Sequence, residues 1–428
     1  MKIQKLIRAH KFSGAPRIPG DKSVSHRALI FGALAENGVT RIQNLLESGD
    51  VQSTARCLQQ MGVKIYKKGE ETFVEGLGHK NFKSPIDVLD CGNSGTTMRL
   101  LMGLLSSMHG MKAEMTGDES LIKRPMKRVA EPLRFMGAHI QMTNENFAPL
   151  SVSGDFLRGI DYELKIASAQ IKTAIILAGL FASGRTRITG EIHSRDHTER
   201  LLKHFGVEIQ SSEKEVVVGG GARFQARDIR VPSDPSTAAF WLAGAALVPN
   251  SKIEMQNISL NPTRIGFMRV LQRMGAPISF QLTEENPEPV GAVTGGSAPL
   301  KAVTINESEI PSLIDELPVL AVLASQAHGR TVVTGAEELR VKETDRIEAV
   351  ATNLRKMKVE IETTPDGFII EGPQKLIGAE IESFHDHRIA MAFSIAALIA
   401  EGETTIRGAD SVQISYPEFY TTLKELTA

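Results

Sequence analysis

A helix that ends in a large apolar residue and usually a glycine, followed by a short strand, recurs along this chain: LQQMGVKI, LRFMGAHI, LKHFGVEI, LQRMGAPI and LRKMKVEI. The pivots are Met61, Met136, Phe205, Met274 and Met357, and a truncated sixth copy, LKEL, places Leu426. A second element interleaves with the first. It is a helix rich in Ala, Leu and other small or apolar residues, then a Gly or Asn suited to a helix C′ position, then a strand, as in IKTAIILAGLFASGRTRI and HRIAMAFSIAALIAEGETTI. The expected stop residues are Gly38, Gly110, Gly184, Asn250, Gly329 and Gly402. Both markers count six units of about seventy residues, which limits the chain to a repeat architecture.

Six such units in 428 residues exceed one hydrophobic core and divide into three and three. Helices apolar on most faces, such as TAIILAGLFA, must lie inside, with strands and the more polar LRKM-type helices outside them. The fold class is therefore α/β. The division falls near Val231-Pro232-Ser233-Asp234-Pro235, where two prolines stiffen a crossing. Pro19-Gly20-Asp21 resembles that segment and reads as a second crossing. The expected domains are residues 21–232, and residues 1–20 together with 233–428, with hinge crossings near 19–22 and 231–236.

Composition removes several function classes. The 49 Lys and Arg nearly balance 50 Asp and Glu, and aromatics make up only 5%, so the basic field and stacking surface of a nucleic-acid binder are missing. Two cysteines, Cys57 and Cys91, cannot build a disulfide framework or a Cys-based zinc site. The amino terminus has no apolar signal-like core, and the longest apolar run, residues 389–400, is too short to span a bilayer. The expectation is a cytoplasmic protein without nucleic-acid or membrane partners. PRIPGDKSVSHR looks at first like a phosphate loop, but five residues separate Gly14 from Gly20 and Asp21 interrupts the Gly-Lys-Ser run. A carboxylate inside that nest would repel a nucleotide phosphate, which excludes ATP.

The unusual polar residues fall immediately before the apolar helices: GDKSVSHR, DCGNSGTTMR, ASAQIK, PSDPST, IDELP and HDHR. Ser, Thr, Asp and Asn there are ordinary N-caps, and any single segment is more often a cap than a site. Capping does not require Lys22, Arg27, Arg99, Lys172 and Arg388 in the first turns. Cations are unfavourable beside a helix N-terminus unless an anion sits between, so the pattern predicts anionic ligands at a shared set of helix starts.

The segments GDKSVSHR, GNSGTTMR, KRP (123–125), SAQIK, RDHTER (195–200), NPTR (261–264), DELP, VKETDR (341–346) and HDHR resemble, in this order, those of the enolpyruvyl transferases. GDKS, SAQIK, RDHTE and NPTR together are similar to the shikimate-phosphate branch, in the bacterial subgroup often called class II. The resemblance implies two inside-out, barrel-like α/β domains. Each would hold three repeated units, with buried parallel helices and outer sheets, and a double crossover would join them. It implies transfer of the enolpyruvyl group of phosphoenolpyruvate to the 5-hydroxyl of shikimate 3-phosphate with release of phosphate, a step toward chorismate and the aromatic amino acids. It also implies a monomer with no cofactor and no metal, which closes around its two small-molecule substrates.

Carried over by motif, Lys22, Ser23, Arg27, Ser168, Ala169, Gln170, Arg195, Asp315 and Lys342 are the residues implied for shikimate 3-phosphate, with Arg27 at its carboxylate. Ala169 stands where many relatives carry a second Ser, so Lys172 and Arg195 are expected to compensate electrostatically. Lys22, Asn93, Gly95, Arg124, Gln170, Arg346, His387 and Arg388 are implied for phosphoenolpyruvate. Asp315 is implied as base, Glu343 as acid and Lys22 as a cation able to move protons; a rival assignment gives Lys22 the larger proton-transfer role. Read without the motifs, Glu343 is a surface ion-pair partner and Asp315 a helix cap. His385 and His387 could be read as metal ligands, but no third His or Cys cluster accompanies them. Cys91 reads as a small buried residue in a tight turn rather than a nucleophile. Ile414-Ser415-Tyr416-Pro417 departs from the family, where a lysine is common. The branch acting on UDP-N-acetylglucosamine usually has a reactive Cys in a mobile loop, and residues 117–128 contain none. A non-catalytic anion-binding scaffold is the other alternative, and the presence of both Asp315 and Glu343 speaks against it.

Overall fold

The computed structural model describes residues 2–428. The chain forms two compact units, one of residues 20–232 and one that joins the amino-terminal segment, through residue 19, to 233–428. The amino-terminal segment enters the second unit through pairing: Ile3–Leu6 lies antiparallel to Thr404–Arg407, and Ser13–Gly14 runs parallel to the start of Lys252–Ser259.

Among the described residues, twelve α-helices alternate between two kinds. In the unit of residues 20–232 they are α1 (Lys22–Leu34), α2 (Gly49–Gln60), α3 (Gly95–Ser106), α4 (Lys127–Met136), α5 (Ala169–Gly179) and α6 (His197–His204). In the other unit they are α7 (Pro235–Leu247), α8 (Gly266–Arg273), α9 (Leu317–Ala324), α10 (Arg346–Lys356), α11 (His387–Ala397) and α12 (Phe419–Thr427). The odd-numbered helices are buried around nearly their whole circumference: every residue of α5 from Ile171 to Gly179, and every residue of α9, is out of solvent. The even-numbered helices bury one face only; in α4 that face is Val129, Ala130, Pro132, Leu133 and Met136. The distinction follows from the side chains, since a helix without a polar face has nothing to present to water. Where α3 meets α5, the backbones touch so closely that a Cβ on Gly103 would sit 2.3 Å from the Ala174 carbonyl oxygen.

Six sheets accompany these helices among the described residues, five of four strands and one of three. Each contains one parallel pair, such as Leu89–Asp90 with Lys112–Thr116, and antiparallel pairing for the remainder. In the unit of residues 20–232 the last strand, Ile229–Arg230, returns to pair with Val39–Gln43 of the first sheet. No helix among the described residues is long and apolar enough to cross a membrane.

The expected stop residues are placed differently from the sequence reading. Gly38, Gly110, Gly184, Asn250, Gly329 and Gly402 all have φ between 57° and 104°, but they lie beyond the helix C′ position, at the entry to the following strand. The chain needs a left-handed residue to reverse into the sheet, and the helix has already ended by then. The glycines of the LQQMG-type copies do sit directly at helix ends, and in the one copy without a glycine Lys358 takes the same conformation, φ 68°.

His26, on α1, is wholly buried, with Nδ1 2.6 Å from Thr54 Oγ1. Burial, and then the charges of Lys22 and Arg27, hold its pKa well below 6.5. His79, stacked on Phe181, is lowered by burial to about 4. Both imidazoles stay neutral in the folded chain but take a proton near 6.5 when unfolded, so the unfolded state gains protons first and stability falls as pH drops below 6.5. Each such group contributes a slope of up to about 1.4 kcal/mol per pH unit. Urea midpoints measured from pH 7 to 5 should decline, and His26→Gln should remove roughly half of that slope. An unchanged slope would contradict the assignment.

Candidate active site

In the unit of residues 20–232 the starts of the buried helices are capped and also carry cations. Asp21 accepts from the Val24 amide at 2.9 Å, Ser94 from Thr97 at 3.1 Å and Ser168 from Ile171 at 3.4 Å. Caps and cations thus coexist, and the polar residues of these segments divide the work.

Side-chain bonds then tie one helix start to the next. Lys22, the first residue of α1, places Nζ 3.1 Å from Asp50 Oδ2 at the start of α2. Thr54 Oγ1 lies 2.6 Å from Thr97 Oγ1, which donates to Ser94 Oγ, the cap of α3, at 2.7 Å. Arg27, only 2% exposed, donates to Thr198 Oγ1, Thr173 Oγ1 and the Ser23 carbonyl, and so joins α1 to α5 and α6. All three nitrogens of this guanidinium have protein partners, so Arg27 holds the framework as well as offering charge. Arg195 donates to Ser23 Oγ at 3.2 Å. Arg99 donates to Gln170 Oε1, whose amide donates to Thr96 Oγ1 at 2.8 Å. Arg124, 8% exposed, donates to Asn93 Oδ1 at 2.9 Å, and Asn93 donates to Asp118 Oδ2 at 2.7 Å. Gly95 begins α3, where a Cβ would lie 3.1 Å from Arg99 Nη1 and 3.6 Å from Arg124 Nη1. This unit therefore brings together Lys22, Ser23, Arg27, Asn93, Gly95, Arg124, Gln170 and Arg195, with Ser168 and Ala169 on the same turn as Gln170. Lys22, Arg27, Arg99, Arg124 and Arg195 outnumber the carboxylates of Asp21, Asp50 and Asp118 at these helix starts, which leaves a local cationic surplus suited to anions.

Lys172 corrects the sequence reading. Its side chain is 2% exposed, and Nζ lies 2.6 Å from Glu199 Oε1 and donates to the Ile192 and Ser194 carbonyls at 3.2 and 3.5 Å. The charge is spent inside the protein and does not replace the missing serine hydroxyl at Ala169.

The second unit assembles its own cluster. Arg346 is 1% exposed and faces three carboxylates: Nε to Asp386 at 2.8 Å, Nη1 to Asp315 at 3.2 Å and Nη2 to Glu343 at 2.7 Å. Burial works against its charge, but Asp386, Glu343 and Asp315 outweigh that and raise the pKa above its already high value. Lys342 Nζ lies 3.8 Å and Arg388 Nη2 3.9 Å from Asp315. The Arg388 side chain is 8% exposed, and its buried Nη1 makes no hydrogen bond, the nearest carboxylate being Glu316 at 3.7 Å. Burial pushes the Glu316 carboxyl up, partly offset by Arg388. Asp386 caps α11 by accepting from the Arg388 amide at 2.8 Å, and Asp234 caps α7 while pairing with Arg264 at 3.1 Å. Here the four carboxylates of Asp315, Glu316, Glu343 and Asp386 outnumber Arg346, Arg388 and Lys342, so this cluster, unlike the first, is rich in carboxylates.

His385 is exposed, at φ 58°, whereas His387 is buried at the start of α11, so the two do not share one binding face. Among the described residues no group of three or more His, Cys, Asp or Glu is placed to hold a metal. Cys91 is buried, and its thiol is pushed well up by a hydrogen bond with Cys57 and by burial, which keeps it protonated. Tyr416, in the segment that departs from the family, is a core residue packed on Trp241 and Phe419, with its hydroxyl donating to the Arg17 carbonyl at 2.9 Å. Asp50, Glu199, Glu316 and Asp386 were not singled out from the sequence. Asp50 sits in the first turn of a helix, where an acid is ordinary, and offers no local signal of its partner.

The profile of the family described as EPSP synthase (3-phosphoshikimate 1-carboxyvinyltransferase) matches residues 8–423. The chain belongs to the EPSP synthase family. Among EPSP synthase relatives, 3-phosphoshikimate 1-carboxyvinyltransferase of Thermodesulfovibrio yellowstonii is 48% identical over 98% of this chain and 99% of the relative. That of Bacillus subtilis is 47% identical over 100% of this chain and 99% of the relative. A solved EPSP synthase from Acinetobacter baumannii superposes with a TM-score of 0.87 at 42% identity, covering 99% of this chain and 98% of that one. The enolpyruvyl transferase NikO from Streptomyces tendae, at 17% identity and a TM-score of 0.79, covers 99% of this chain and 97% of that one and shares the fold.

Proposed function

We propose that the helix-start residues described above carry out, in this chain, the reaction of the EPSP synthase family: transfer of the carboxyvinyl group of phosphoenolpyruvate to the 5-hydroxyl of shikimate 3-phosphate. The observation that carries the assignment of roles is Arg346. One buried guanidinium orients both Asp315 and Glu343, the two carboxylates to which the proton transfers are assigned, at 3.2 and 2.7 Å.

In the addition step the 5-oxygen bonds to C2 of phosphoenolpyruvate as its proton passes to a base, and an acid protonates the methylene carbon to a methyl group. In the elimination step the methyl group returns a proton and the C2–O bond to phosphate breaks, restoring the double bond and releasing inorganic phosphate. Asp315 is the base and Glu343 the acid, each held in a fixed orientation by Arg346. The cations beside Gly95 and Gln170, namely Arg99 and Arg124, together with Lys22 and Arg388, stabilise the negative charge carried by the adduct and the leaving phosphate. Ser23, Arg27, Arg195 and the turn Ser168–Gln170 hold shikimate 3-phosphate, with Ala169 contributing backbone only. Lys342 and Asp315 assist that substrate, and His387 and Arg346 assist phosphoenolpyruvate. The proposal includes a monomer that acts without nucleic-acid or membrane partners.

The test mixes purified chain with shikimate 3-phosphate and phosphoenolpyruvate and follows phosphate. The expected outcome is one phosphate released per shikimate 3-phosphate consumed, and none with either substrate alone. Binding of both without phosphate release would favour the anion-binding scaffold instead.

A further inference from the structure

The proton transfers and ligand contacts assigned above use neither Lys172 nor Glu199, yet the two form a deeply buried ion pair, with side chains 2% and 6% exposed. A buried pair of this kind is seldom worth more to stability than apolar side chains of equal volume, because desolvation consumes most of the attraction. What it does supply is directionality. The Lys172 ammonium has three acceptors: Glu199 Oε1 at 2.6 Å and the carbonyls of Ile192 and Ser194 at 3.2 and 3.5 Å.

Those two carbonyls belong to a short irregular segment between the strand Arg185–Gly190 and α6. Its internal bonds are two tight turns, Ile192 N to Gly190 O and Ser194 N to Ile192 O, both 2.7 Å. Arg195 follows directly and reaches Ser23 Oγ at 3.2 Å. At its other end Lys172 stands on the first turn of α5, where its amide donates to the Ser168 carbonyl at 3.0 Å. One residue thus bridges the α5 start to the backbone that aims Arg195.

We propose that Lys172, fixed by Glu199, is a positioning residue. It clamps the segment Ile192–Ser194 so that Arg195 is set for the phosphate of shikimate 3-phosphate at the turn Ser168–Gln170. The inference rests on the preceding reading that Arg195 and this turn receive that phosphate. It also explains how a chain with Ala169 in place of a hydroxyl holds the group: the second contribution is a correctly aimed guanidinium, and the lysine acts through it.

The test is a double-mutant cycle read by calorimetric titration of shikimate 3-phosphate and by steady-state kinetics. Lys172→Met should weaken shikimate 3-phosphate binding about tenfold while the KM for phosphoenolpyruvate and the turnover at saturation stay within about threefold. Arg195→Ala should weaken the same binding, and adding Lys172→Met to it should cost no more than about twofold further. Lys172→Arg, which keeps the charge and the donors, should recover most of the loss. If Lys172→Met does not fold, Glu199→Gln, nearly isosteric, carries the same cycle with an expected loss of about threefold. The clamp is overturned if Arg195→Ala weakens binding while Lys172→Met or Glu199→Gln leaves it unchanged, or if the two losses multiply. If Arg195→Ala itself leaves binding intact, the underlying site reading is wrong and the clamp goes with it.

Discussion

Asp315→Asn and Glu343→Gln, made separately, should each fold, bind both substrates, and turn over about 10²–10⁴-fold more slowly than the parent chain. Both amides keep an oxygen that can accept from Arg346, so the buried guanidinium retains its partners at the positions now held at 3.2 and 2.7 Å. What they lose is the ability to take up or release a proton in the required range. The loss therefore belongs in turnover, with KM values changed little. Stopped-assay turnover together with equilibrium binding separates the two quantities. Should Asp315→Asn retain turnover within tenfold while Lys22→Met abolishes it, the base is Lys22. Its Nζ lies 3.1 Å from Asp50.

Arg346→Met should be strongly destabilising, costing about 3–5 kcal/mol. The substitution leaves Asp386, which is fully buried, together with Glu343 and Asp315, without the cation that binds all three. Lys342 and Arg388 approach Asp315 only to 3.8 and 3.9 Å, too far to take over the hydrogen bond that Arg346 makes. Asp386 is also the cap of α11, so strain at its carboxylate passes directly into that helix. Arg346→Lys should recover little, since one ammonium cannot reproduce a planar fork reaching three carboxylates. A denaturant midpoint shifted by the equivalent of several kcal/mol is expected; a shift under about 1 kcal/mol would mean the cluster relaxes by taking up water or protons.

The alternation of largely apolar helices with one-sided helices was legible in the sequence because burial leaves little freedom in composition: α9 carries no polar side chain at all, and α5 carries none from Ala174 to Gly179. Capping was legible as well, at Asp21, Ser94 and Ser168, because its signal is local. The partners of the cations were not. Arg27 bonds Thr198 across 171 residues of sequence, and Arg346 bonds Asp386 across 40. No spacing rule connects such residues; only the packed units do. Lys172 shows the consequence most plainly. A lysine near a helix N-terminus reads as a ligand for an external anion, and here the anion is Glu199, supplied from α6.

Carboxyvinyl transfer requires that phosphoenolpyruvate lose its phosphate by cleavage of the bond between carbon and oxygen. Phosphoenolpyruvate labelled with ¹⁸O at the bridging oxygen, incubated with the chain and shikimate 3-phosphate, should release phosphate that carries the label, with an unlabelled carboxyvinyl ether as the other product. Label retained on the three-carbon fragment would mean that a phosphoryl group had moved instead, and would contradict the assignment of Asp315, Glu343 and their surrounding cations to carboxyvinyl transfer.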